Sequence, residues 1–221
     1  MKISKYIDHT LLKATATENE IIQLCNEAVG YNFYAVCVNS SYVSLCKETL
    51  NGTLVKIASV IGFPLGAMDY LSKIKETEIA VNNGANEIDM VMNIGFFKDQ
   101  KYHLVENEIR QIKQAAGNKI LKVIIETCYL SDDEKKMATM LVVNAGADFV
   151  KTSTGFGSGG ATFTDIELIK SITQNKIQIK ASGGIRDFET AIKYIESGVT
   201  RIGTSNGIHI VTGQKGKEQS Y

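Results

Sequence analysis

Short runs of apolar, often β-branched residues recur along the whole chain, as is typical of buried β-strands. Segments with helical periodicity separate these runs. In residues 102–116, for example, apolar side chains recur at helical spacing on one face. Strands and helices are therefore predicted to alternate. Eight strands are predicted, at residues 6–10, 34–38, 54–61, 88–92, 121–125, 149–150, 177–179 and 199–202.

The predicted helices carry signals at their ends. Thr17, Ser131 and Thr164 are each followed three residues later by glutamate, the pattern of a capping box that begins a helix. Glycines lie where three helices should end, at residues 30, 146 and 198. Eight strand–helix units of about 28 residues fit a single-domain (β/α)8 barrel, the TIM barrel, or a large doubly wound α/β sheet. No nucleotide-binding glycine fingerprint opens a helix, which favours the barrel.

Composition and charge narrow the function classes. The 221 residues include 24 Lys plus Arg and 24 Asp plus Glu, so no global field favours nucleic acid or a membrane surface as a partner. No apolar stretch is long enough for a membrane helix or a signal peptide, so we expect a cytoplasmic protein. The spacing of the cysteines and histidines suggests free thiols and no metal site. We expect one domain over residues 1–221, with residues 214–221 as a polar C-terminal tail.

Several predicted strands carry charged residues opposite their apolar face. The period of two places Asp89, Lys122 and Lys180 on the polar faces of their strands. Lys151 ends another run and Asp8 lies in the first. Strands of a parallel sheet are normally apolar on both faces, because helices cover them. The polar faces therefore predict a charged barrel interior.

Three lysines and two aspartates in one interior must compensate one another, because burying an unpaired charge is costly. Their formal sum is +1, and amines that lie close together lower one another's pKa. A lysine that is neutral part of the time can act as a nucleophile. A lone lysine at a strand end more often lies at the surface, but three together favour lysine-based chemistry.

Two glycine-rich loops are candidates for phosphate binding. Residues 181–186 follow the seventh predicted strand and residues 202–207 follow the eighth, and each loop leads into a helix. Glycine permits close approach of a ligand, helix N-termini favour anions, and these two loops often bind phosphate in (β/α)8 barrels. A third glycine-rich stretch, residues 155–160, is a candidate lid or phosphate contact. The predicted phosphate-binding residues are Gly155, Gly183, Gly184, Gly203, Ser205 and Asn206.

Seven ordered motifs resemble those of the deoxyribose-phosphate aldolase family. They are DHTLLK (8–13), VCVN (36–39), GFPLG (62–66), EIDMV (87–91), KVIIET (122–127), FVKTSTGF (149–156) and KASGGIR (180–186), and the match extends to about residue 207. The resemblance implies a (β/α)8 class I aldolase that cleaves 2-deoxy-D-ribose 5-phosphate to D-glyceraldehyde 3-phosphate and acetaldehyde. It also implies no metal, no cofactor, and a homo-oligomer, with a dimer favoured.

The resemblance also implies roles for individual residues. Lys151 is the lysine that forms the Schiff base, Lys180 holds a second positive charge beside it, and Asp89 moves protons. In the loop after the eighth strand the family often has two adjacent serines, whereas this chain has Ser205 and Asn206. The supporting network comprises Asp8, Thr10, Cys37, Lys122, Thr152 and the last residue, Tyr221.

Two alternative functions fit the same loops. One is another lysine-dependent phosphosugar aldolase, and the other is a non-catalytic barrel that binds phosphorylated metabolites. A phosphosugar isomerase would need a carboxylate base such as Glu126, which would leave Lys151 and Lys180 without a role. Covalent trapping of an imine separates an aldolase from a binding barrel.

Overall fold

Eight parallel strands close into a barrel in the computed structural model, which describes residues 2–213. Each strand pairs with the next along the chain, and the eighth pairs with the first. The prediction of a (β/α)8 barrel is thereby confirmed. The strands are β1 (Ile7–Leu11), β2 (Ala35–Asn39), β3 (Lys56–Ile61), β4 (Glu87–Val91), β5 (Ile120–Ile124), β6 (Phe149–Lys151), β7 (Gln178–Ser182) and β8 (Arg201–Thr204).

Helices surround the barrel and connect successive strands. They are α1 (Glu18–Gly30), α2 (Val43–Thr49), α3 (Tyr70–Asn83), α4 (Ile94–Lys98), α5 (Tyr102–Ala116), α6 (Asp132–Asn144), α7 (Phe163–Thr173), α8 (Phe188–Glu196) and α9 (Gly207–Thr212). Short 3-10 helices lie at Ile3–Tyr6, Ser40–Tyr42 and Thr127–Tyr129. Within residues 2–213, no helix has the length and apolar character needed to cross a membrane. The predicted tail, residues 214–221, lies outside the described part of the chain.

Two of the three predicted capping boxes are present. The side chains of Thr17 and Ser131 each accept a hydrogen bond from the backbone of the glutamate three residues later, and that glutamate bonds back to the cap. The third prediction is wrong. Thr162, not Thr164, caps α7, because Thr162 is extended and its hydroxyl accepts from the backbone N–H of Asp165. Thr164 already lies in the first turn of that helix.

Apolar side chains form two clusters on opposite sides of the barrel wall. The larger cluster fills the layer between the strands and the helices. The smaller one lies inside the barrel on the side of β1, β2 and β3, where Phe63 packs against Leu12, Cys37, Ala58 and Val60. The barrel interior is therefore apolar on one side, which leaves the other side for charged residues.

Candidate active site

Charged side chains from six strands fill the rest of the barrel interior. Each is at least 95% buried, and each lies at an alternate position of its strand, as the period of two requires. They are Asp8 on β1, Glu87 and Asp89 on β4, Lys122 on β5, Lys151 on β6, Lys180 on β7 and Arg201 on β8.

Asp89 is the centre of this cluster. Its Oδ1 accepts a hydrogen bond from Nζ of Lys122 at 2.7 Å. Its Oδ2 accepts from Nζ of Lys151 and from Nζ of Lys180, both at 2.8 Å. One carboxylate therefore contacts all three lysines that the sequence placed in the interior. Lys151 and Lys180 share a single oxygen, so their two amino groups lie side by side.

Both interior aspartates are held as anions. Burial alone would raise the pKa of Asp8, but the charges of Lys180 and Arg201 outweigh it and lower the pKa to about 2. Burial would likewise raise the pKa of Asp89, but Lys122, Lys151 and Lys180 hold it well below its usual value. Asp89 is therefore ionised at neutral pH.

Two of the three lysines are held as cations. The sequence predicts that neighbouring amines lower one another's pKa, but for these two lysines the nearby carboxylates have the larger effect. Burial lowers the pKa of Lys180, but Asp8 and Asp89 outweigh it and raise the pKa above its usual value. Burial also lowers the pKa of Lys122, and its neighbouring carboxylates reverse that effect. Both are fully buried, whereas Lys151 retains 3% exposure.

Sequence reasoning missed Glu87 and Arg201. Nη1 of Arg201 donates to Oδ1 of Asp8 at 2.8 Å and to Oε2 of Glu87 at 2.9 Å, and Nη2 donates to Oε1 of Glu87 at 3.1 Å. Oε2 of Glu87 lies 2.5 Å from Nζ of Lys122. The period that places Asp89 inside also places Glu87 inside, so this signal could have found it. With both included, four cations face three anions, and the formal sum is still +1.

Glu126 anchors the glycine-rich loop that follows Lys151. Its carboxylate accepts from the backbone N–H of Thr154 at 3.1 Å and from the hydroxyl of the same residue. Burial raises the pKa of Glu126, and the hydrogen bonds from Thr154 oppose that effect. A carboxylate engaged in this way is poorly placed as the free base that an isomerase would need.

The predicted supporting residues lie in different positions relative to the cluster. Cys37 has its Sγ 4.0 Å from Oδ2 of Asp89, and burial raises the pKa of its thiol, as suits a wall residue rather than a nucleophile. The hydroxyl of Thr10 donates to the backbone carbonyl of Asp8 at 2.8 Å rather than to a charged group. Lys122 belongs to the cluster itself.

Thr152 joins two strands. Its hydroxyl donates to the carbonyl of Ser182 at 3.2 Å and accepts from the backbone N–H of Ser182 at 3.1 Å. It thereby fixes the end of β6, which carries Lys151, against β7. Tyr221 lies outside the described residues, so its predicted role stays a prediction.

The loops after β7 and β8 enclose a small depression at the carboxyl end of the barrel. Five of the six predicted phosphate-binding residues line it, and Gly155 does not. The exposed Arg186 also lines it and was missed by the sequence analysis. The five are Gly183, Gly184, Gly203, Ser205 and Asn206.

Comparison with known proteins places this fold and site in a family. The family model of the DeoC/LacD aldolases matches residues 2–211. The chain therefore belongs to the DeoC/LacD family of aldolases, and it is an enzyme of the carbon–carbon lyase class. A deoxyribose-phosphate aldolase from Streptococcus uberis is 53% identical over 214 residues, which are 97% of each chain. The deoxyribose-phosphate aldolase of Brevibacillus brevis is 52% identical over the full length of both chains.

Solved structures agree with this assignment. An aldolase named QR15 superimposes with a TM-score of 0.92 at 45% identity, covering 95% of this chain and 94% of that one. A deoxyribose phosphate aldolase from Aeropyrum pernix, described as a tetramer of unique structure, superimposes with a TM-score of 0.86 at 30% identity. That match covers 95% of this chain and 89% of the other.

Proposed function

We propose that this aldolase reversibly cleaves 2-deoxy-D-ribose 5-phosphate to D-glyceraldehyde 3-phosphate and acetaldehyde through a Schiff base on Lys151. The observation that carries the proposal is the shared contact of Lys151 and Lys180 with Oδ2 of Asp89. In the proposed roles, a nucleophile, a fixed cation and a proton acceptor share one hydrogen-bonded group. The full-length relatives named as deoxyribose-phosphate aldolases support the choice of substrate.

Imine formation begins at the aldehyde carbon, C1, of the open-chain sugar. Nζ of Lys151 must first lose a proton, and the carboxylate of Asp89 lies 2.8 Å away to accept it. The amine then attacks C1 to give a carbinolamine. Asp89 returns its proton to the carbinolamine hydroxyl, which leaves as water and gives the iminium ion. Lys180, which donates to the same oxygen of Asp89, supplies a fixed positive charge beside the reacting amine.

Cleavage breaks the bond between C2 and C3. The hydroxyl on C3 loses its proton, C3 becomes the aldehyde of glyceraldehyde 3-phosphate, and the bond electrons move into the iminium to give an enamine. Asp89, acting through a water molecule, takes the proton from that hydroxyl. Return of that proton to C2 through the same water gives a second iminium ion, and its hydrolysis releases acetaldehyde and returns Lys151 to the free amine.

The phosphate group would bind in the depression between the loops after β7 and β8. Glycines at positions 183 and 184 adopt positive φ values of 85° and 80°, which turns the chain tightly there. Ser205, Asn206 and the exposed Arg186 offer polar and cationic groups at the same place. Gly155 remains a candidate from the loop after β6.

We further propose that the protein is a cytoplasmic homo-oligomer, with a dimer favoured. Four large apolar side chains around one groove support oligomerisation: Met68, Tyr70, Phe96 and Leu104 are each 40–43% exposed. Four free cysteines are typical of a reducing compartment. Light scattering should give at least twice the monomer mass of 24.2 kDa, and a monomer at micromolar concentration would reject the oligomer.

The experiment that tests the function is borohydride trapping with 2-deoxyribose 5-phosphate, followed by intact mass and peptide mapping. We expect an adduct on Lys151, and none after Lys151→Ala. Lys73 is the matched internal control, because it is equally buried but donates to Glu108 at 2.8 Å outside the catalytic cluster. An adduct on another lysine would overturn the residue roles. Tight phosphosugar binding without any adduct would favour the non-catalytic barrel.

The choice among lysine aldolases needs a substrate comparison. Cleavage of 2-deoxyribose 5-phosphate should greatly exceed cleavage of other phosphosugars at equal concentration. Faster turnover of a different phosphosugar, with the adduct still on Lys151, would support the alternative of another lysine-dependent aldolase.

A further inference from the structure

The barrel interior contains a second level of charge beneath the groups proposed for catalysis. Glu87 lies two residues before Asp89 on β4, and Arg201 lies at the start of β8. We call these two residues the lower pair. We propose that the lower pair consists of positioning residues, which set the pH range in which Lys151 reacts. This inference rests on the proposed imine chemistry.

The lower pair is linked by hydrogen bonds and ion pairs to the groups proposed for catalysis along two routes. Arg201 bridges Glu87 and Asp8 through Nη1, and Asp8 in turn accepts a hydrogen bond from Lys180. Glu87 pairs with Lys122, which donates to Asp89. Both routes end at Asp89 and its contact with Lys151. A change of charge in the lower pair is therefore transmitted to the nucleophile by contact as well as through space.

The lower pair is isolated from water. Glu87 is 1% exposed and Arg201 is 4% exposed. The guanidinium of Arg201 lies over the ring of Tyr34, with its central carbon 3.5 Å from the ring centroid, and near the ring of Phe149 at 5.6 Å. Solvent and salt screen such buried charges weakly, so their influence on neighbouring groups is large.

Within residues 2–213, few other ionisable groups face this interior, and one of them is Tyr34, whose ring lies against Arg201. Cys37 comes from β2, and Glu126, which follows β5, lies near enough to Lys151 for its pKa to respond to that charge. β3 contributes the apolar Ala58 and Val60. In the described part of the chain, the remaining charged groups here are those of the cluster: Asp8, Asp89, Lys122, Lys151 and Lys180.

Removing the charge of Glu87 and removing the charge of Arg201 should shift the pH dependence of imine formation in opposite directions. Glu87→Gln removes a negative charge and disfavours the ammonium form of Lys151. The acidic limb, which is the pH range over which the rate of imine formation rises from the acid side, should therefore move to lower pH. Arg201→Met removes a positive charge and moves that limb to higher pH. A unit charge at about 10 Å in an effective dielectric of about 20 corresponds to a shift of roughly one pH unit.

The test measures the rate of trapping with acetaldehyde and cyanoborohydride across the pH range. The double variant Glu87→Gln/Arg201→Met restores the net charge of the interior. Its acidic limb should therefore lie close to the pH at which the limb of the unchanged protein lies. Arg201→Lys keeps the positive charge and should leave the acidic limb at the same pH. It is the variant to measure if Arg201→Met does not fold. Asp165→Asn is the matched control, because it breaks the ion pair between the buried Asp165 on α7 and the partly buried Lys135 on α6, away from the barrel interior.

Three outcomes decide the proposal. Opposite shifts in the single variants, with none in the control, support it. Shifts of the same sign, or limbs that do not move while the rate falls at every pH, reduce the lower pair to a purely structural role and overturn it. Failure of the unchanged protein to form any adduct on Lys151 would instead reject the proposed function on which the inference rests.

Discussion

Replacing Asp8 with asparagine tests whether the interior carboxylates stabilise the fold through their charge. Oδ1 of Asp8 accepts from Arg201 at 2.8 Å and Oδ2 accepts from Lys180, and the residue is completely buried. Asparagine has nearly the same shape. It lacks the negative charge, however, and it turns one acceptor into a donor that faces a cation. The variant therefore removes the electrostatic contribution while leaving the packing almost unchanged.

The magnitude follows from the pKa of Asp8, which the folded protein lowers from 3.8 to about 2. At 1.36 kcal/mol per pKa unit this corresponds to about 2 kcal/mol of stability at neutral pH. Because the pKa is lowered on folding, this stability is present well above the unfolded value and is lost as the pH falls through the folded value. About half of it should be gone by pH 3.

Urea unfolding at pH 6 and pH 3 measures this contribution directly. The gap in unfolding free energy between the unchanged protein and Asp8→Asn should narrow by about 1 kcal/mol at the lower pH. Asp133→Asn is the matched control, since its carboxyl is 94% exposed and pairs only with Lys136 on the surface. The difference in unfolding free energy between the unchanged protein and Asp133→Asn should stay small at both pH values. A gap for Asp8→Asn that does not change with pH would refute the electrostatic account.

Two further predictions concern proton transfer and a close backbone approach. Asp89→Asn should lower kcat by roughly 10²–10⁴-fold with little change in substrate binding, and steady-state kinetics showing an unchanged kcat would exclude a proton-transfer role for this neighbour of Lys151. Gly66→Ala should destabilise the fold by about 3 kcal/mol or more in urea unfolding, because the added Cβ would lie 2.1 Å from the carbonyl oxygen of Met92 at a φ of +67°. Gly52→Ala, at +76° with nothing within 4 Å, isolates the backbone cost and should lose about 1 kcal/mol, so equal losses would contradict the steric explanation.

The fold was predictable because its signals are local. Hydrophobic periodicity separates strands from helices within a few residues, and the capping boxes at Thr17 and Ser131 need only neighbours along the chain. The errors are local as well. Leu54 extends an apolar run beyond the start of β3 although it is 87% exposed. At α7, two threonines two residues apart both suit a cap, and the path of the preceding loop selects Thr162.

The site was predictable only in part, because its pairings are not local. The period of two places each charge in the interior, but it does not say which charge meets which. Arg201 on β8 pairs with Glu87 on β4, on the opposite side of an eight-stranded barrel. That meeting depends on the tilt and stagger of the strands and on the length of the arginine side chain. It therefore required the closed barrel.

The division of the barrel interior separates packing from chemistry. Apolar residues usually fill such barrels, and β2 and β3 follow that rule through Cys37, Ala58 and Val60. Buried ion pairs are weak contributors to stability, because apolar residues of similar volume often serve as well or better. Apolar side chains on the other six strands would therefore stabilise the fold at least as well as the charged ones do, so stability does not explain these charges. Their contacts converge on Asp89 and Lys151, so their arrangement is best explained by the reaction proposed at Lys151.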